Sequence, residues 1–125
     1  MWIKTNPNPR KKEVNDCVIR AIAIATGMSW LDVYDDLYRV GRSEYDMMSS
    51  NAVWGLYLYQ CGFEPFLLPE SCPRCITVRE FARRFPHGRY IVGTGTHAIA
   101  VISGDYYDSW DSGSTVPSYF WRISD

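Results

Sequence analysis

The sequence predicts an α+β domain in which helices come first and an antiparallel sheet follows. From Cys17 to about Phe85, apolar residues recur at helical spacing between capping signals; from Pro86 onward the period becomes that of strands. The 46% apolar content, with five Trp, nine Tyr and five Phe in 125 residues, supplies one packed core and excludes wholesale disorder. A chain of this length buries about two-thirds of the surface it would expose unfolded.

Residues 1–14, with Asn6-Pro7-Asn8-Pro9, read as an extended arm, because each proline keeps the preceding Asn out of the helical region. Residues 15–125 then form a single domain. A first helix is expected over Cys17–Thr26, capped by Asp16 or Asn15 and ended by Gly27. Val18, Ile19, Ala21, Ile22, Ala23, Ile24 and Ala25 leave it almost no polar face, so it belongs at the centre of the core. Ser29-Trp30-Leu31-Asp32 opens a second helix that runs to about Val40, with Trp30, Val33, Tyr34 and Leu37 on one side and Gly41 closing it. A third spans about Ser50 to Gln60. An extended piece from Phe63 to Leu68 and a loop from Pro69 to Cys75 lead to the capping signal Thr77-Val78-Arg79-Glu80 and a fourth helix to about Phe85.

Strands are expected over Arg89–Gly93, His97–Ile102, Tyr106–Trp110 and Tyr119–Ile123, with Ser103-Gly104-Asp105 as a hairpin turn. The net charge of −1 gives no overall pull toward nucleic acid or an anionic membrane. Lys4, Arg10, Lys11 and Lys12 form the one basic cluster, and no aromatic platform alternates with it, so it reads as a solvated arm. No apolar stretch reaches the length of a membrane span, and the first residues carry no secretory pattern. The expected setting is cytoplasmic, in a bacterial cell or a phage-infected host, where four cysteines stay free, bind metal or catalyse.

Cys17 stands at the start of the buried helix, where unsatisfied N–H groups and the helix dipole lower a thiol pKa and can also donate to an oxyanion. Eighty residues on, His97 lies in Gly93-Thr94-Gly95-Thr96-His97-Ala98, between small residues that leave one side of its ring open. The only other histidine, His87, sits in the Pro86-His87-Gly88 turn and reads as a surface residue. A base must itself be held by a third group. Asp108 and Asp111 both qualify: a turn centred on Gly104 puts His97 opposite about Asp111, and a tighter turn or a bulge brings Asp108 closer.

These residues resemble the papain-like cysteine peptidase superfamily. Asp16-Cys17-Val18-Ile19-Arg20-Ala21 is similar to its nucleophile helix, His97-Ala98-Ile99-Ala100 to its His-Ala-Val-Ala strand, and Asp108-Ser109-Trp110-Asp111 to its Asn-Ser-Trp-Gly. Asn15-Asp16-Cys17, Pro86-His87-Gly88-Arg89-Tyr90 and Asp108-Ser109-Trp110-Asp111 also resemble segments of small bacterial and phage proteins. The resemblance implies a papain-like fold, with Cys17 as nucleophile, His97 as base and acid, and Asp108 as orienter (Asp111 the alternative). It implies a thiol hydrolase that cleaves a peptide or isopeptide bond of a protein or peptide substrate, with no cofactor. Trp110 would shield the His–Asp bond. The family's Gln ahead of the nucleophile is missing: position 11 is Lys, which leaves Asn15, Asn8 or a helix-start N–H as oxyanion donor.

Two other readings fit the residues. One is a catalytically weak or inactive binding or virion-associated module with the same fold. The other is a zinc-stabilised interaction domain. Cys72-Pro73-Arg74-Cys75 has zinc-knuckle spacing, and Cys61 and His87 would complete a Cys₃His set.

Overall fold

The computed structural model describes residues 1–68 and 75–124 of the 125-residue chain. In chain order they form β1 (Trp2–Lys4), α1 (Cys17–Thr26), α2 (Trp30–Ser43), α3 (Asn51–Gln60), β2 (Glu64–Leu67), α4 (Val78–Arg84), β3 (Arg89–Gly93), β4 (Ala98–Ile102), β5 (Asp105–Asp108) and β6 (Tyr119–Ser124). The fold is α+β, with a six-stranded mixed sheet in the order β1-β5-β4-β3-β6-β2. The expected loop from Pro69 lies outside the described residues as far as 74.

Two expectations about the sheet are corrected. The N-terminal arm does not lie apart from the domain: Trp2, Ile3 and Lys4 pair in parallel with Tyr106, Tyr107 and Asp108, so β1 is an edge strand and the sheet is not purely antiparallel. The strands after Pro86 do not all pair in chain order either, because β6 returns beside β3, antiparallel to it, and carries β2 on its other side.

The sheet separates two apolar clusters, as the period-two alternation of its strands requires. Ile91, Ala98, Ala100 and Trp121 face α1, α2 and α3. Tyr90, Val92, Ile99, Val101, Tyr106 and Phe120 pack with Val78, Phe81 and Ala82 of α4. Small residues meet on the first face: Ala21, Ala23 and Ala25 of α1 share a cluster with Ala98 and Ala100 of β4, which lets the helix lie close to the strand. Gly27 ends α1 in the left-handed conformation at φ 79°, and its N–H reaches Ala23 O at 2.9 Å.

The second helix does not stop before Gly41. It continues to Ser43, and Gly41 is buried within it because the following loop crosses its surface; a Cβ there would lie 2.8 Å from Asp46 O. Ser29 caps this helix by accepting from the Asp32 N–H at 3.1 Å, and Thr77 caps α4 by accepting from the Glu80 N–H at 3.2 Å. Among the described residues, no single helix is long and apolar enough to cross a membrane.

Candidate active site

Helix α1 delivers Cys17 at its first position, half-buried, beside the mouth of β4. Asp16 precedes it as the helix cap residue, but its carboxylate makes no cap bond. The side chain is drawn away instead: Asp16 Oδ1 accepts from Arg20 Nη1, and Oδ2 accepts from Trp30 Nε1 at 2.9 Å. Of the two expected caps, Asp16 or Asn15, Asp16 takes the cap position but its side chain forms an ion pair one turn up the helix instead, and the first-turn N–H groups have no side-chain cap.

His97 sits one residue before β4. Its backbone is fixed by a turn in which Thr94 Oγ1 accepts from the His97 N–H at 2.9 Å and the Thr94 N–H donates to His97 O at 2.8 Å. Nε2 of the ring lies 2.6 Å from Asp108 Oδ2. That bond leaves Nδ1 as the ring nitrogen not engaged by Asp108, and the Cys17 thiol lies near enough for the imidazole and the Ala98 backbone to lower its pKa. Trp110 stands over the imidazole, ring centroids 5.0 Å apart.

The structure places Asp108, not Asp111, on His97. The hairpin is tighter than a turn centred on Gly104: Ser103 and Gly104, at φ 50° and 85°, form a two-residue turn, and Ile102 pairs with Asp105. Carried along the ladder, that register sets His97 opposite Trp110, with Asp108 one diagonal step away, a spacing that long side chains bridge. Asp111 points elsewhere, accepting from Tyr106 OH at 2.6 Å and from the Gly113 N–H at 3.0 Å.

Asp108 is 2% exposed and amply bonded. Beyond His97, it accepts from Ser112 Oγ at 2.7 Å, the Ser109 N–H at 2.8 Å and Arg20 Nη2 at 3.2 Å. Burial alone would raise its pKa, but the bonds from His97 and Ser112 hold it below the ordinary carboxylate value. Burial likewise opposes charge on His97, yet Asp108 and Cys17 push it up to about 9. For Cys17, burial raises the thiol pKa; the bonds from His97 and Ala98, with the charges of His97 and Arg20, outweigh it and leave the thiol below its usual value. These directions favour a thiolate beside an imidazolium.

Cys17 and His97 open onto a cavity of about 460 Å³, walled by Trp30, Tyr34, Leu37, Met48 and Trp54, with Asn15, Asn51 and Thr96 among its polar residues. Trp30 and Tyr34 stack at 5.4 Å along one side. Asn15 is exposed and lines the same cavity as the thiol. Asn8 is buried in the arm, where its Oδ1 accepts from the Arg10 N–H at 2.9 Å.

Cys61 is a free, exposed thiol at the end of α3, His87 is exposed, Cys75 is disulfide-bonded, and Cys72 lies outside the described residues. Among the described residues, no three His, Cys, Asp or Glu side chains gather where they could hold a metal ion. The sequence reading missed Arg20, Trp30 and Ser112 as members of the site. Arg20 carried a signal: a lone cation on an otherwise apolar helix has to be buried with a partner.

Fold and site together define an α+β domain in which a half-buried Cys–His pair, backed by a buried Asp, opens onto an apolar cavity. No protein-family model matches the chain, and no curated protein or solved structure resembles it significantly.

Proposed function

We propose that this chain is a papain-like cysteine hydrolase that cleaves a peptide or isopeptide bond through an acyl-thioester. The observation that carries the reading is the chain of contacts from Cys17 to His97 to Asp108, on the first residue of a buried helix and open to a cavity. The reaction follows from these groups. The Cys17 thiolate attacks the amide carbonyl carbon, and the oxygen that becomes negative meets the uncapped N–H groups of the first turn of α1 and the amide of Asn15. The imidazolium of His97 gives its Nδ1 proton to the leaving amine as the C–N bond breaks. Neutral His97 then takes a proton from water, which attacks the thioester; the acid departs, and thiolate and imidazolium are restored.

Asp108 keeps the imidazole ring in place and balances its charge throughout. The cavity walls suit an uncharged, bulky group on the substrate: apart from the reacting Cys17 and His97, the lining carries one acidic side chain, Asp16, and it is already bonded to Arg20 and Trp30.

Iodoacetamide labelling across pH, read by mass spectrometry of the individual cysteines, tests this. Exposed Cys61 serves as the internal reference. Cys17 is expected to label with an apparent pKa well below the ~8.5 of a free thiol, and His97→Ala to move it upward. Hydrolysis of a peptide amide is expected to follow a bell: rising as Cys17 ionises, falling near pH 9 as His97 loses the proton the leaving group needs. A Cys17 that labels no more readily than Cys61 at any pH overturns the reading.

A further inference from the structure

We propose that Arg20 is a positioning residue for this site, gripping the residue before the nucleophile and the orienting acid at once and so fixing Cys17 against His97 across the helix–sheet interface. The inference rests on the hydrolase reading and extends it to a side chain outside the Cys–His–Asp set. Arg20 is 8% exposed, on the second turn of α1. One arm of its guanidinium, Nη1, bonds Asp16 Oδ1; the other, Nη2, reaches Asp108 Oδ1 at 3.2 Å.

Asp16 is bonded to Cys17 through the peptide chain, and Asp108 holds His97 at 2.6 Å. The two carboxylates come from segments far apart in sequence, and a single planar fork spans them. Lysine, a point charge, cannot reproduce that grip. The arrangement is made at a cost: Arg20 Nε is buried without a hydrogen-bond partner among the described residues. The side chain is therefore oriented by the two carboxylates rather than by the fullest use of its own donors. The line of bonds extends outward through Trp30, which donates to Asp16 and walls the cavity.

The titratable and charged groups facing Cys17 are His97, Arg20 and Tyr119, whose hydroxyl is pushed up to about 12 by burial and by the Cys17 charge. Arg20 is thus a cation close to the thiolate that takes no part in proton transfer.

The charge-balanced pair Asp16→Asn with Arg20→Met tests the role, because replacing a buried ion pair by neutral groups preserves folding far better than removing one partner. The double variant is expected to unfold cooperatively, to label at Cys17 with its apparent pKa shifted upward, and to hydrolyse a peptide amide about tenfold more slowly or worse. Arg20→Lys is expected to keep the labelling profile close to that of the unchanged protein while losing a similar factor in hydrolysis, since charge stays and the fork goes. A folded double variant with unchanged labelling and hydrolysis overturns the inference. Should the double variant not fold, Arg20→Lys with undiminished hydrolysis overturns it equally. An ordinary thiol pKa in the unchanged protein would instead remove the hydrolase reading beneath it.

Discussion

Asp108 accepts from His97, Ser112, Ser109 and Arg20 at distances between 2.6 and 3.2 Å, whereas Asp111 is engaged by its own loop, by Tyr106 of β5 and, at 3.8 Å, by Arg79. The two acids stand three residues apart, yet only the first can steer the imidazole. Asp108→Asn is expected to lower peptide-amide hydrolysis by about a hundredfold, because an amide cannot balance an imidazolium. Asp111→Asn should stay within about twofold, as a substitution on a half-exposed side chain away from the reacting groups. Steady-state rates of both variants decide it; equal losses would contradict the assignment of Asp108. At this scale the sequence exposed the thiol and the imidazole through their local settings. It left the acid open because a shift of one residue in the hairpin changes which side chain faces His97.

Among the elements, α1 and β3 were legible to the residue. Their limits are set by local chemistry: Gly27 at φ 79° ends the helix, and a run from Arg89 to Gly93 follows the Pro86-His87-Gly88 turn. Helix α2 was not, since Gly41 stops a helix by propensity but here supports a loop crossing. Gly41→Ala is expected to destabilise the protein by about 1–3 kcal/mol through overpacking, despite a helix-propensity gain of up to ~1 kcal/mol. The added Cβ would press on the backbone atoms Asp46 O at 2.8 Å and Met48 N at 3.2 Å, neither of which can rotate away. Urea unfolding measures the difference; a stabilised variant would show that the loop simply moves. Met48 also walls the cavity, so this glycine ties helix packing to the shape of the site.

For the molecule as a whole, β1 links the chain's beginning to the acid. Asp108 O accepts from Trp2 Nε1 at 3.2 Å and from the Thr5 N–H at 2.9 Å, so the edge strand holds Asp108 from the side opposite His97. Removing residues 1–5 is expected to lower the thermal midpoint and to slow hydrolysis about tenfold or more, because small displacements of a reacting group are costly. Circular dichroism melting together with the hydrolysis assay checks this. A truncated chain with undiminished rate would mean that β5 holds Asp108 unaided.

The sequence by itself determined the order of elements, the buried character of α1, and the presence of a thiol at a helix start and an imidazole before a strand. Each depends on residues close together in the chain: caps, periodicity and turn-forming glycines. Only the tertiary structure decided that β1 joins the sheet, that Asp108 rather than Asp111 meets His97, and that Arg20 bridges Asp16 to Asp108. These depend on strand register and on contacts between distant segments, and no local pattern carries that information.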